Sequence, residues 1–204
     1  MYEEHHVWET IHPDNIWVMD KLILSRKLGY LCGPVGMDVP KEEWYIVRPC
    51  VNALGLGLGA RFEYLKKDTD HLTPGHFWCQ VFRGRHFSVD YNRGKQILCV
   101  EGFRDKSSNN DLTRWKEWIR SNVQFEFPEV LKEFSDVEWI NCEYIDGRLI
   151  EVHFRRNPDF KMDIDRFIPV WAGEEINPPE GSIYIEDPEI HDRIGAYVFP
   201  ALNA

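Results

Sequence analysis

Apolar and polar residues alternate most regularly between Ile140 and Arg155, INCEYIDGRLIEVHFR, and the alternation predicts a β-hairpin. On the second run Ile150, Val152 and Phe154 form one apolar face, and Leu149, Glu151, His153 and Arg155 form the other. On the first run Ile140, Cys142 and Tyr144 are the apolar set, and Asn141 and Glu143 the polar set. Asp146-Gly147 is a strong turn signal. A two-residue turn there would pair Cys142 with Glu151 and leave Glu143 on the wrong face. A three-residue loop, Ile145-Asp146-Gly147 with Gly147 left-handed, would pair Asn141 with Glu151, and one buried apolar face favours that register. Glu143, Glu151 and His153 then converge, with Asn141 and Arg155 nearby. Such a group lacks a counter-charge, and a divalent metal would supply it. The alternative is a hairpin with one solvated face.

Elsewhere the patterning is mixed. Asp20 is placed to cap a helix over Lys21–Leu28, with Leu22, Leu24 and Leu28 apolar and Gly29 as the stop. Trp44–Val47 reads as a strand. The glycines of Leu54-Gly55-Leu56-Gly57-Leu58-Gly59 suit a loop whose backbone approaches a ligand, and Arg61–Leu65 reads as the returning strand. A plain glycine loop is the competing reading. Phe77–Phe82, Arg85–Tyr91 and Lys95–Phe103 predict a three-strand meander. Thr113–Asn122 predicts a helix with Trp115, Trp118 and Ile119 on one stripe, and Pro128–Phe134 a shorter one with Val130, Leu131 and Phe134 inward. Asp163–Trp171 fits a strand or a helical turn. Residues 174–192 hold many acidic side chains and no Lys or Arg, as an extended surface segment would.

Composition narrows the options. The net charge of -10 argues against nucleic-acid binding driven by phosphate neutralisation. The start, MYEEHH, has no apolar core, so no secretory leader is expected, and no run is long enough to cross a bilayer as a helix. Cys32, Cys50, Cys79, Cys99 and Cys142 show no CxxC spacing, which favours buried free thiols and a reducing, cytoplasmic setting.

The order of these pieces resembles the ATP-grasp superfamily over roughly residues 17–157. Met19-Asp20-Lys21-Leu22 looks like the opening of its nucleotide-binding region, where a lysine reaches the phosphates. Val47-Arg48-Pro49 with the Gly55, Gly57 and Gly59 loop looks like its VKP strand and phosphate flap, with Arg48 in place of lysine. Val81–Asp90 is similar to its EEFIxGxExSVD stretch, which implies adenine contacts at Cys79, Gln80, Val81 and Phe82. His86 stands where a glutamate commonly holds the ribose. Glu151-Val152-His153-Phe154-Arg155 looks like its ExNxR metal-binding end.

The resemblance implies an α+β fold in which two subdomains containing antiparallel sheets sandwich a nucleotide. It implies a nucleotide-binding domain over residues 1–160 and an acidic C-terminal extension over 161–204. It implies ATP with Mg²⁺ or Mn²⁺, metal ligands Glu143, Glu151 and His153, and catalytic roles for Arg155 and His153. The expected reaction is ATP-dependent activation of a carboxylate, on a small or peptide-like substrate, for attack by an amine. A phosphotransferase or a non-catalytic nucleotide-binding module is the alternative. The substrate domain usual in the family's ligases is not evident before Met19, so a second copy or a partner protein is a candidate to complete the substrate site.

Overall fold

The computed structural model of the chain describes residues 11–51, 57–104, 112–160, 163–174, 177–190 and 192–201. They form two antiparallel sheets and little helix. A 3-10 segment at Pro13–Met19 leads into α1 (Lys21–Lys27). Asp20 caps α1 as the sequence predicts: its Oδ1 accepts from Leu22 N at 2.8 Å and Ile23 N at 3.0 Å.

The small sheet contains β1 (Cys32–Pro34), β2 (Glu43–Pro49), β3 (Arg61–Leu65) and β4 (His76–Gln80), in the order β1-β4-β2-β3. Alternation along β2 gives it two different faces. Tyr45 and Val47 pack with Val39, Leu65, Leu72 and Trp78 on one. Ile46 and Arg48 look the other way, toward Phe77, Cys79, Leu22, Tyr30 and Phe82.

The large sheet contains β5 (His86–Asn92), β6 (Lys95–Phe103), β7 (Glu117–Arg120), β8 (Ile140–Ile145), β9 (Arg148–His153), β10 (Ile164–Trp171), β11 (Ile183–Ile190) and β12 (Arg193–Pro200). Its order is β11-β12-β10-β7-β6-β5-β8-β9. The expected meander is therefore divided. β4 belongs to the small sheet and β5 and β6 to the large one, and the chain crosses between them over residues 81–85. One face of the large sheet is apolar: Phe87, Val89, Tyr91, Cys142, Tyr144, Leu149 and Val152 pack under Leu131 and Phe134 of a 3-10 segment, and under Trp17 and Leu24. On the other face Leu98, Val100, Trp118 and Phe167 form a second core. The β5-β8-β9 end of that same face carries polar side chains.

The helix expected over Thr113–Asn122 is instead the strand β7, paired to β6 and β10. Trp115, Trp118 and Ile119 suit a helical stripe, but strand pairing sends Trp118 and Ile119 to opposite faces, and tertiary packing overrides the local pattern. Trp118 joins the second core. Its neighbour across the ladder is Gly102, where a Cβ would stand 2.6 Å from Trp115 and 2.8 Å from Trp118. Asp163–Trp171 resolves as strand, and β10–β12 continue the large sheet past β7.

All five cysteines are free. No helix among the described residues is long and apolar enough to cross a membrane.

Candidate functional site

The β8–β9 hairpin carries the acidic half of the site. Its turn is the two-residue Asp146-Gly147, with φ of 50° and 76°, which matches the right-handed strand twist. Ile145 pairs with Arg148 and Tyr144 with Leu149. An extra residue, Ile150, then shifts the ladder, so that Glu143 faces Glu151, Cys142 faces Val152 and Asn141 faces His153. The three-residue loop was the wrong device, although the same side chains meet. A bulge re-aims the strand beyond it. Leu149 accordingly turns into the core with Val152, where simple alternation put it on the polar face.

The cationic half arrives from the small sheet and α1. Lys21 N donates to Cys50 O at 2.7 Å, which ties the first turn of α1 to the chain just past β2. The Lys21 ammonium is 3.1 Å from Glu151 Oε1, with 5% and 10% of the two side chains exposed. Arg48, the last charged residue of β2, donates through Nη2 to the carbonyl of the bulge residue Ile150 at 3.0 Å. Its Nε is buried with no hydrogen-bond partner among the described residues. Residues far apart in sequence, Lys21 and Arg48 near one end and Glu143 and Glu151 near the other, thus meet in one buried place.

Glu151 Oε1 is also 3.3 Å from His153 Nε2. Burial pushes the Glu151 carboxyl up, but the Lys21 ammonium, the His153 contact and Arg48 outweigh it and hold it well below the usual range. Glu143 follows the same logic. Burial raises it, and the hydrogen bond from His86 Nε2 to Glu143 Oε2 at 3.1 Å brings it below its ordinary value. His86 is wedged edge-on against Trp115 and Trp118, at 4.7 and 5.6 Å between ring centres. It therefore serves the carboxylate pair in this arrangement. Arg155 donates through Nη1 to Arg156 O at 3.0 Å.

The sequence-predicted adenine segment lies at the crossing between the sheets. Cys79 is buried in β4, and burial pushes its thiol up to about 11. Burial does the same to Cys50 and Cys99, so none of the three is an activated nucleophile. Gln80 N donates to Leu31 O, and its side-chain Oε1 accepts from Leu31 N, both at 2.8 Å. Phe82 packs edge-on against Tyr30, 4.7 Å between centres, with Arg148 over its ring. Val81 is half-buried beside it. Gly57 and Gly59 have φ of 68° and 82°, conformations that suit glycine, in the turn leading into β3. Gly55 lies outside the described residues.

Pattern reading missed a polar network on this face. Asn141 Nδ2 reaches Ser88 Oγ and Asp90 Oδ1, each at 2.8 Å, and Asn157 donates its N to Asp90 Oδ1 and its Nδ2 to Ser88 Oγ. Asp90 Oδ2 is buried and has no partner among the described residues. Burial raises the Asp90 carboxyl despite those bonds. The signal was an aspartate inside a buried strand, between Val89 and Tyr91.

The donor set can be weighed against a nucleotide and its metal. The orphaned Arg48 N–H and the Lys21 ammonium fit an anion. Glu143 and Glu151, facing across the ladder, offer hard oxygen ligands that suit Mg²⁺ or Mn²⁺, whereas the His153 imidazole suits Mn²⁺ better. As the side chains stand, no group of three His, Cys, Asp or Glu among the described residues is arranged around a metal position. Lys21 and His86 occupy the carboxylates.

No protein-family model and no curated protein matches the chain. Among solved structures it is similar to a protein from Archaeoglobus fulgidus described as a putative ATP-grasp superfamily protein. The TM-score is 0.50 at 14% identity, over 89% of this chain and 64% of that one. It is also similar to D-alanine–D-alanine ligase from Bacillus anthracis, with TM-score 0.39 and 16% identity over 67% of this chain and 56% of that one. L-amino acid ligase from Bacillus licheniformis gives TM-score 0.45 and 13% identity over 69% and 41%. This chain spans less than two-thirds of the length of each. The fold it shares with the first of these is the ATP-grasp fold.

Proposed function

We propose that the chain binds ATP between its two sheets and uses it to activate a carboxylate for attack by an amine or similar nucleophile. The observation that carries this reading is the meeting of Lys21 and Arg48 with Glu151 at one buried point. Lys21 and the free Arg48 N–H hold phosphate oxygens. Glu143 and Glu151 hold a divalent cation, which when bound offsets charge on the phosphates. Gly57 and Gly59, in the turn that leads into β3, lend their backbone to the phosphates and exclude water. The substrate carboxylate oxygen attacks the γ-phosphorus and ADP leaves. The amine nitrogen then attacks the acyl carbon and phosphate leaves. Arg155 steadies the phosphoryl oxygens, and His153 keeps Glu151 oriented and carries a proton.

A second reading is a non-catalytic nucleotide-binding module. It draws support from the side chains already seated on both carboxylates, Lys21 on Glu151 and His86 on Glu143. One assay separates the two. The chain is incubated with ATP and Mg²⁺ or Mn²⁺, with pools of carboxylic acids and amines, and ADP and phosphate are followed. Release that requires both an acid and an amine is expected. Phosphate transferred to an acceptor instead would point to a kinase. Nucleotide binding with no turnover, unchanged by Glu151→Gln, would favour the module.

A further inference from the structure

The Lys21–Glu151 pair sets two demands against each other. Lys21 is needed by the phosphates and Glu151 by the cation, yet each side chain is committed to the other at 3.1 Å, inside the protein. If either leaves alone, the other loses its ion-pair partner, with only His153 Nε2, 3.3 Å from Glu151 Oε1, and Arg48 left beside the glutamate, and an under-compensated buried charge is unfavourable. If Lys21 turns to a phosphate, Glu151 needs a new cation. If a divalent ion takes Glu151, Lys21 needs a new anion. The surroundings keep the exchange local. Lys21 N is fixed to Cys50 O, Asp20 caps the helix that carries the lysine, and Ile150 O is held by Arg48 on the strand that carries the glutamate. Glu143 also starts occupied, since its Oε2 accepts from His86 Nε2.

We propose that the Lys21–Glu151 ion pair is a latch that holds the site closed to a divalent cation until a polyphosphate draws Lys21 away. This rests on the nucleotide reading above and adds its regulation. Triphosphate and cation then raise each other's affinity through the protein, beyond their direct contact with one another. The coupling is reciprocal, as linkage requires.

The test uses the full chain and two single variants. Mn²⁺ binding without nucleotide, followed by electron paramagnetic resonance, should tighten about tenfold in Lys21→Met, which frees Glu151. ATP binding in excess EDTA, followed by calorimetry, should tighten about fivefold in Glu151→Gln, which frees Lys21. The second variant is isosteric and decides the matter if the first does not fold. Direct metal–phosphate contact predicts no change in either measurement, because each omits one ligand. Unchanged or weaker binding in both overturns the latch. A wild-type chain that binds no ATP under any condition would instead defeat the nucleotide reading, and the Mn²⁺ measurement would still decide whether Lys21 masks Glu151.

Discussion

Glu143 and Glu151 stand directly opposite one another on β8 and β9 because the ladder skips Ile150 between them. If Ile150 were paired in the ladder, the Asp146-Gly147 turn would set Glu151 against Cys142, on the face that packs the core. The bulge also leaves the Ile150 carbonyl to Arg48. Leaving one residue out of the pairing thus aligns the carboxylates and links the large sheet to the small one.

Deleting Ile150 should therefore do more than shorten a strand. A regular ladder then keeps Glu151 opposite Glu143, but the carbonyl that Arg48 Nη2 bonds is gone, and leaving that buried donor unpaired costs about 1–3 kcal/mol. Urea unfolding should show that loss, whereas Ile150→Val, which keeps the bulge, should cost about 0.5–1.5 kcal/mol. Equal losses in the two variants would mean that the Ile150 carbonyl does not link the sheets.

Arg48→Met tests the link between the sheets. It removes the donor to Ile150 O and leaves a buried carbonyl unpaired, at a cost of about 1–3 kcal/mol. It also removes the orphaned N–H assigned to phosphate, so nucleotide affinity should fall along with stability. A variant that loses stability but binds ATP normally would confine Arg48 to a structural role.

Much of this arrangement was legible in the sequence. Asp20 before an apolar run marked α1, and the alternation from Ile140 to Arg155 marked the hairpin and its acidic set. The separate pieces near Lys21, Arg48 and Glu151 pointed to one site, and they meet. What could not be read was long-range. Nothing local to Trp115–Ile119 distinguishes a helical stripe from a strand inserted between β6 and β10. The crossing at residues 81–85 separates β4 from β5, yet its Arg83-Gly84 looks like a hairpin turn. Asp90, Asn141 and Asn157 form a network only because three separate segments bring them together. The bulge was hidden because Ile150 fits an apolar strand as well as a bulge.

Gly102→Ala probes the tryptophan pair beside the site. The added methyl would enter the space of Trp115 and Trp118, whose rings flank His86. Overpacking of this kind costs about 1–3 kcal/mol. Tryptophan emission should shift, because the displaced indoles change their surroundings. An unchanged thermal midpoint would show that the rings relax freely and do not fix His86.

The two glutamates and Asp90 make opposite contributions to acid stability. In the folded chain Glu151 and Glu143 lie below their ordinary values, so near the usual glutamate value, about 4.3, the unfolded chain binds more protons than the folded one. Their stabilisation is complete above that value and is lost as pH falls through the folded pKa. Asp90 is raised by burial, so acidification from its folded pKa down to the ordinary aspartate value adds stability. Glu151→Gln should therefore flatten the acid limb of stability against pH, by up to about 1.4 kcal/mol per pH unit for one proton. Asp90→Asn should steepen it. Urea midpoints measured between neutral pH and pH ~3 test both signs at once, a window that spans the ordinary carboxyl values. If the Glu151→Gln profile runs parallel to the wild type, Lys21 does not hold that carboxylate ionised, and the electrostatic basis assigned to the site is wrong.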